Sequence, residues 1–223
     1  IAVAALASSG PALSAVLQVP QQFNTVQDAI AVSQDGDTIQ LGGGVYSVPI
    51  DFLGKDIVLK GAGMGVTVLD GSQSIGPVVR MTSGEGTAAE LKDLTIEFGS
   101  AVKGGGLLLE GASPRVTRCR FQRNAAENGG GVWMQGGEPR FIDCEFVSNT
   151  TITGHGGGVF ATESSPVFAG CLFHSNSATL HAGALFLQYS EASIESSSFD
   201  QNMSDDQFSM AGAVLSHEGS LYV

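Results

Sequence analysis

Four histidines, three cysteines and a recurring set of aromatic and amide side chains are the residues with which this chain could do chemistry. His155, His174, His181 and His217 share no spacing that a zinc site would need. Sugar hydrolysis by inversion calls for two carboxyls about 6.5–9.5 Å apart, one with a raised pKa. Nothing marks such a pair, and Asp205-Asp206 falls inside a long turn. The acidic stretch Asp200 to Asp206 could attract Ca²⁺ weakly, but it lacks the regular Asp-x-Asp pattern and glycine of a calcium loop. The expectation is therefore no catalytic residue, no metal and no cofactor.

A binding surface is the more promising chemistry. Leu107, Val132, Val159, Leu185 and Val214 form a uniform aliphatic column, which suits an interior. Side chains alternate along a strand, so their neighbours Leu108, Trp133, Phe160, Phe186 and Leu215 point outward on this reading. Two residues further on stand Glu110, Gln135, Thr162, Gln188 and His217. An outward stripe of rings flanked by polar groups can stack on sugar rings or dock a protein. Trp133, Gln135, Phe160, Thr162, Phe186 and Gln188 are the candidate ligand-binding residues. The alternative, with the alternation inverted and the rings in the core, stays open. Arg118 and Arg120 stand 25 residues before Asp143 and Glu145 and read as cross-strand ion pairs, with an Arg–carboxylate lyase site as the alternative.

The elements that position these residues follow from a repeat. Gly105, Gly130, Gly157, Gly183 and Gly212 lie 25, 27, 26 and 29 residues apart. In the same register run Val116, Phe141, Phe168 and Ile194; then Cys119, Cys144, Cys171 and Ser197; then Phe121, Phe146, Phe173 and Phe199. Asn124, Asn149, Asn176 and Asn202 close the units. A period in the twenties means a solenoid. Each unit reads as three strands, in the second unit Val132–Gln135, Pro139–Phe141 and Asp143–Val147. Stacked in register, the units give an all-β, single-stranded right-handed parallel β-helix of about seven to eight coils, the hand following the preference of parallel crossovers. The phenylalanines then form an internal ladder and the asparagines an amide ladder. Leu91, Leu94 and Ile96 anticipate Val116, Cys119 and Phe121, so the helix starts before its glycine signature. The cysteine column continues as Ser197, which favours buried free thiols over disulfides.

Ahead of the solenoid, residues 23–33 predict a short capping helix, with Asn24 or Thr25 at its start, Asp28 closing a capping box, and Phe23, Val26 and Ile30 on the apolar face. Residues 1–15, apolar and then small, read as the remnant of a secretory signal, with an apolar segment packed on the domain as the alternative. The expected organisation is thus 1–15 signal remnant, 16–36 cap, and 37–223 β-helix. Val223 occupies the column position of Ile194, so the last coil is incomplete and further C-terminal coils are expected. Net charge is −12 and residues 141–223 carry nine acids and no base, which argues against nucleic acid. No stretch is apolar for long enough to span a membrane.

The pairing of GGGV, AGAL or AGAV with FQRN, FVSN, FHSN and FDQN is similar to the GGA(I/L/V) and FxxN repeats of polymorphic outer membrane proteins, which are surface-exposed autotransporter adhesins. The leading NTVQDAI…DGDTIQL…GVYSVPIDFLGKDIVLKG…TVLDG resembles the first coils of exported pectate-lyase-like β-helix proteins. Together the resemblance covers about residues 22–223. It implies an exported or cell-surface β-helix, either a non-enzymatic binding or adhesion module for glycans or partner proteins, or a carbohydrate-active enzyme with its site in turns or further coils. The β-barrel that ends the adhesins has no counterpart here, so autotransport is not implied. Gly154-His155-Gly156 resembles a fragment of polygalacturonases, but no other element of that site accompanies it, and His155 reads as a turn residue.

Overall fold

The computed structural model describes residues 14–205 and 212–223. The expected signal remnant lies outside the described residues except for Ser14 and Ala15, as do Asp206 of the acidic turn and Ala211 of the last glycine-rich start. The chain winds as a parallel β-solenoid of about eight turns whose strands stack into three sheets. Among the described residues sheet A holds 14 strands and runs from the Val16–Val19 strand through to Ser220–Tyr222, sheet B holds seven and sheet C five. Within the sheets every pairing is parallel and in register, so Leu107, Val132, Val159, Leu185 and Val214 stand directly over one another. Val116 pairs back to Leu91, Cys119 to Leu94 and Phe121 to Ile96, as the spacing predicts.

Sheet C is the element that the sequence reading missed. Its strands, Ser100–Lys103, Ala125–Asn128, Thr150–Thr151, Ser177–Ala178 and Met203–Ser204, are too short to show a period. They convert the expected coil of three strands into one with a short extra wall between the asparagine and the glycines.

Corners turn on single residues with positive φ, and these also form columns. One runs Asp93, Arg118, Asp143, Gly170, Ser196; a second Phe98, Arg123, Ser148, Ser175, Gln201; a third Gly104, Gly129, Gly156, Ala182; a fourth Gly111, Gly136, Glu163, Tyr189, Glu218. In the third column the left-handed backbone favours the first glycine of each GGG. The middle glycine answers to space: a β-carbon on Gly130 would strike the Thr150 carbonyl of the next coil. Accordingly the fourth unit replaces the outer two glycines, as Ala182 and Ala184, and keeps Gly183.

The solenoid bore is filled by like residues. Phe121, Phe146, Phe173 and Phe199 stack with centroids 5.2, 4.5 and 4.6 Å apart. Phe141 and Phe168 form a second stack, edge-on to the first. The asparagines run beside them: Asn124 Nδ2 donates to Asn149 Oδ1 at 3.1 Å, Asn149 Nδ2 to Asn176 Oδ1 at 3.0 Å, and Asn176 Nδ2 to Asn202 Oδ1 at 2.9 Å. Each Nδ2 also donates to a carbonyl of the preceding coil, from Ile96, Phe121, Phe146 and Phe173 in turn. The backbone N–H groups of Asn124, Asn149 and Asn176 also donate to the next oxygen along, so a buried polar column is satisfied throughout. Cys119, Cys144 and Cys171 are free and buried, their thiols on backbone carbonyls. Burial pushes the Cys119 thiol up to about 12, so it is an apolar filler rather than a nucleophile.

At the N-terminal end α1, Val26–Val32, lays Val26, Ala29 and Ile30 into the core. Thr25 caps it, its hydroxyl oxygen accepting from the Asp28 N–H at 3.1 Å. The helix is shorter than the 23–33 expectation because Phe23 and Asn24 belong to the approach, and Ser33 ends it in extended backbone.

Candidate functional site

The outer face of sheet B carries the stripe that the alternation predicts. Trp133, Phe160 and Phe186 lie apart from the solenoid core, in a separate apolar cluster with Ala182, Leu108 and Leu215. The direction is outward, but the expectation of a free surface is corrected: Trp133 is 4 %, Phe160 8 % and Phe186 5 % exposed. The reason is the segment between sheet C and sheet B, which folds back over the rings. His155 stacks on Phe186 at 4.5 Å, and Ala182 joins the cluster. Lys103 places its Nζ 3.9 Å from the Trp133 ring centre. The rings themselves stack from coil to coil, Trp133 on Phe160 at 6.4 Å and Phe160 on Phe186 at 5.3 Å.

The covering segments are held by backbone bonds rather than by chance contact. The His155 N–H donates to Asn128 Oδ1, the Gly129 N–H to the His155 carbonyl, and the Gly156 N–H to the His181 carbonyl, each at 3.0 Å. Thr151 Oγ1 donates to the Gly154 carbonyl at 2.9 Å, and Thr179 ties the next coil to Thr151. This fixes the two imidazoles beside each other, with ring centroids 5.0 Å apart.

Where the stripe reaches its C-terminal end there is a cavity of about 570 Å³, lined by His155, His181, Phe186, Gln188, Leu215, Ser216 and His217. That volume lies in the range of small-molecule sites. Phe186 and Leu215 supply apolar wall, Gln188 an amide and the histidines ring nitrogens. His155 Nδ1 is buried without a hydrogen-bond partner among the described residues. Burial, and secondarily the neighbouring His181, lower the His155 pKa from its ordinary value, so the ring is neutral and able to accept or donate.

Of the candidate residues, the structure brings Phe186 and Gln188 to this cavity. Trp133 and Phe160 stand behind them as covered support. Gln135 and Thr162 occupy the same register column, and Gln135 Nε2 donates to Glu163 Oε2 at 3.2 Å instead of facing a cavity. His155 lies in a turn, as expected, and also lines this cavity, while His181 and His217 were not assembled with it. The signal was present: His155 and His181 each precede the positive-φ residue of their corner, Gly156 and Ala182, so the repeat alone stacks them. Among the described residues no cluster of three or more His, Cys, Asp or Glu could hold a metal, and no helix is long and apolar enough to cross a membrane.

The ion pairs divide. Arg120 Nε meets Glu145 Oε2 at 2.6 Å as expected. Arg118 does not bind Asp143; it takes Asp93 of the preceding coil in a two-point contact of 2.7 and 3.0 Å. Asp93, Arg118 and Asp143 share one corner column, so the arginine has a carboxylate on either side, and the bidentate geometry goes to Asp93.

No curated protein matches the chain. Among solved structures a pectin methylesterase from carrot superposes with a TM-score of 0.38 at 11 % identity, over 98 % of this chain and 90 % of that one. The stacked parallel coils, the glycine corners and the asparagine ladder agree with a match of residues 60–223 to the family described as the right handed beta helix region, and the chain belongs to that family.

Proposed function

We propose that this protein is an exported or cell-surface binding module, non-enzymatic, that takes a glycan in the cavity at the C-terminal end of the sheet B face. The observation that carries the reading is the juxtaposition of the Phe186 ring with an orphaned, buried His155 Nδ1 in one cavity. A buried polar atom without a partner is a loss that a ligand hydroxyl can relieve. A sugar offers that hydroxyl together with an apolar ring face for Phe186, and Gln188 and His217 supply further polar contacts at the rim. The resemblance of the repeats to those of surface adhesins supports the location.

The test is calorimetric titration with a panel of neutral and acidic oligosaccharides. A binder should be found whose affinity falls about tenfold or more in Gln188→Ala and His217→Ala, at unchanged melting temperature, the loss of one or two ligand hydrogen bonds. Equal binding by parent and variants would move the site elsewhere. Release of reducing-end or unsaturated products would replace the binding module with a carbohydrate-active enzyme.

A further inference from the structure

The same face has a second cavity at its other end, of different chemistry. About 420 Å³ in volume, it is lined by Ile75, Gly76, Pro77 and Arg80, by Ser100 to Lys103, and by Leu108. The groove exists because sheet C begins only at the Ser100–Lys103 strand. On the N-terminal side that strand meets the 71–77 turn through a single bridge, Gly76 to Ser100, which leaves a step in the surface. Ile75 and Val102 are exposed on its two sides.

Its charge is out of character for the chain. Against 22 acids the protein has ten bases, yet this lining holds two bases and no acid. Arg80 occupies the outward column position one coil before Leu108. Among the described residues its guanidinium has no hydrogen bond or ion pair. Lys103 has the Trp133 ring beneath it and Glu110 at 3.8 Å, a partly exposed and weak partner. The nearest other acid by register is Asp51, which neighbours Arg80 on the adjoining coil and lines a smaller cavity with it.

We propose that this groove binds a single-chain amphiphilic anion, a free fatty-acid carboxylate. The alkyl body lies along Ile75, Pro77, Val102 and Leu108, and Arg80 takes the carboxylate with Lys103 alongside. Charge complementarity carries the choice: in a strongly acidic protein an anion is retained where a base such as Arg80 stands unanswered and Lys103 is held only by a weak pair, and the apolar lining excludes a small hydrated anion as the whole ligand. The site is separate from the proposed glycan cavity and does not depend on it.

Trp133 is the only tryptophan and has Lys103 on its face, so it reports on the groove. Decanoate, titrated below its micelle concentration onto the intact chain and followed by calorimetry and Trp133 fluorescence, should saturate at one site. Arg80→Gln should weaken it about tenfold or more, Lys103→Gln less, with the unfolding midpoint unchanged, as the loss of a charge-assisted contact requires. Decan-1-ol and acetate should each bind at least about tenfold more weakly than decanoate, one lacking the charge and the other the chain. Decanoate that fails to saturate, that binds Arg80→Gln as tightly as the parent, or that decan-1-ol equals would overturn the assignment. So would binding to anionic vesicles without binding to monomeric decanoate.

Discussion

Two aromatic ladders run the length of the repeat, one inside the bore and one outside sheet B, and they are buried by different means. The inner one, Phe121 to Phe199, is enclosed by the coils themselves, with near-parallel rings and a second phenylalanine stack set edge-on. The outer one, Trp133 to Phe186, is covered by the successive turns that carry His155 and His181, by Ala182, and by the Lys103 ammonium over Trp133. Low exposure therefore has two meanings. Inside, any gap is walled by backbone and stays open; outside, a turn can settle onto it.

The largest effect should come from breaking the inner ladder. Phe146 is stacked on Phe121 and Phe173 and edge-on to Phe141 and Phe168. Phe146→Ala should cost about 3–5 kcal/mol in chemical denaturation, the range for a large ring removed from a rigid core. Asn149→Ala comes next. It strands the Phe121 carbonyl and the Asn124 N–H, both of which its amide serves, and should cost about 2–4 kcal/mol, roughly one to two per stranded group. Phe160→Ala in the outer stripe should cost about 1–2 kcal/mol, because its cover can relax and the cavity term shrinks with it. If Phe160→Ala proves as damaging as Phe146→Ala, the two ladders are one core. Arg120→Gln should change stability by less than about 1 kcal/mol, since both partners of its ion pair are partly exposed.

The smallest effect is a pH dependence, and it separates the ladders by chemistry. In the folded chain His155 holds its proton less tightly than an ordinary histidine does at 6.5. As pH falls through and below that value, the unfolded chain takes up the proton first, so His155 contributes stability at neutral pH that is lost in acid. The drop in melting temperature between about pH 8 and about pH 5 should be smaller in His155→Gln than in the parent. An identical drop in both would mean that the ring is not desolvated.

How much of this was legible in the sequence depends on what repeats. The bore was readable because Val116, Cys119, Phe121 and Asn124 recur at fixed offsets, and in-register stacking turns such columns into contacts. Alternation favoured an outward direction for Trp133 and Phe160 and left the inverted arrangement open. Their burial was not readable, because what covers them is a turn without a strand period. Arg118 shows the same limit: a column places a carboxylate on both sides of it, and only the local geometry decides for Asp93. The cavity required His155, His181 and His217 to be read as one group although they come from three coils.

The corner columns carry a further consequence. From Gly129 to Gly136, Asp143 and Ser148 the steps are seven, seven and five residues. The next coil repeats them from Gly156 through Glu163 and Gly170 to Ser175, and the one after from Ala182 through Tyr189 and Ser196 to Gln201. The last step of each coil, back to the glycine column, is the one that varies: Arg123 to Gly129 takes six residues, Ser148 to Gly156 eight and Ser175 to Ala182 seven. Between Gly104 and Gln201 the variation in coil length therefore sits in one stretch, and that stretch is the cover over the outer rings and the source of His155 and His181. The solenoid thus behaves as a ruled frame with a single adjustable margin. Residues can be inserted there without shifting the register of any sheet, so the contents of the outer face can change while the bore stays the same.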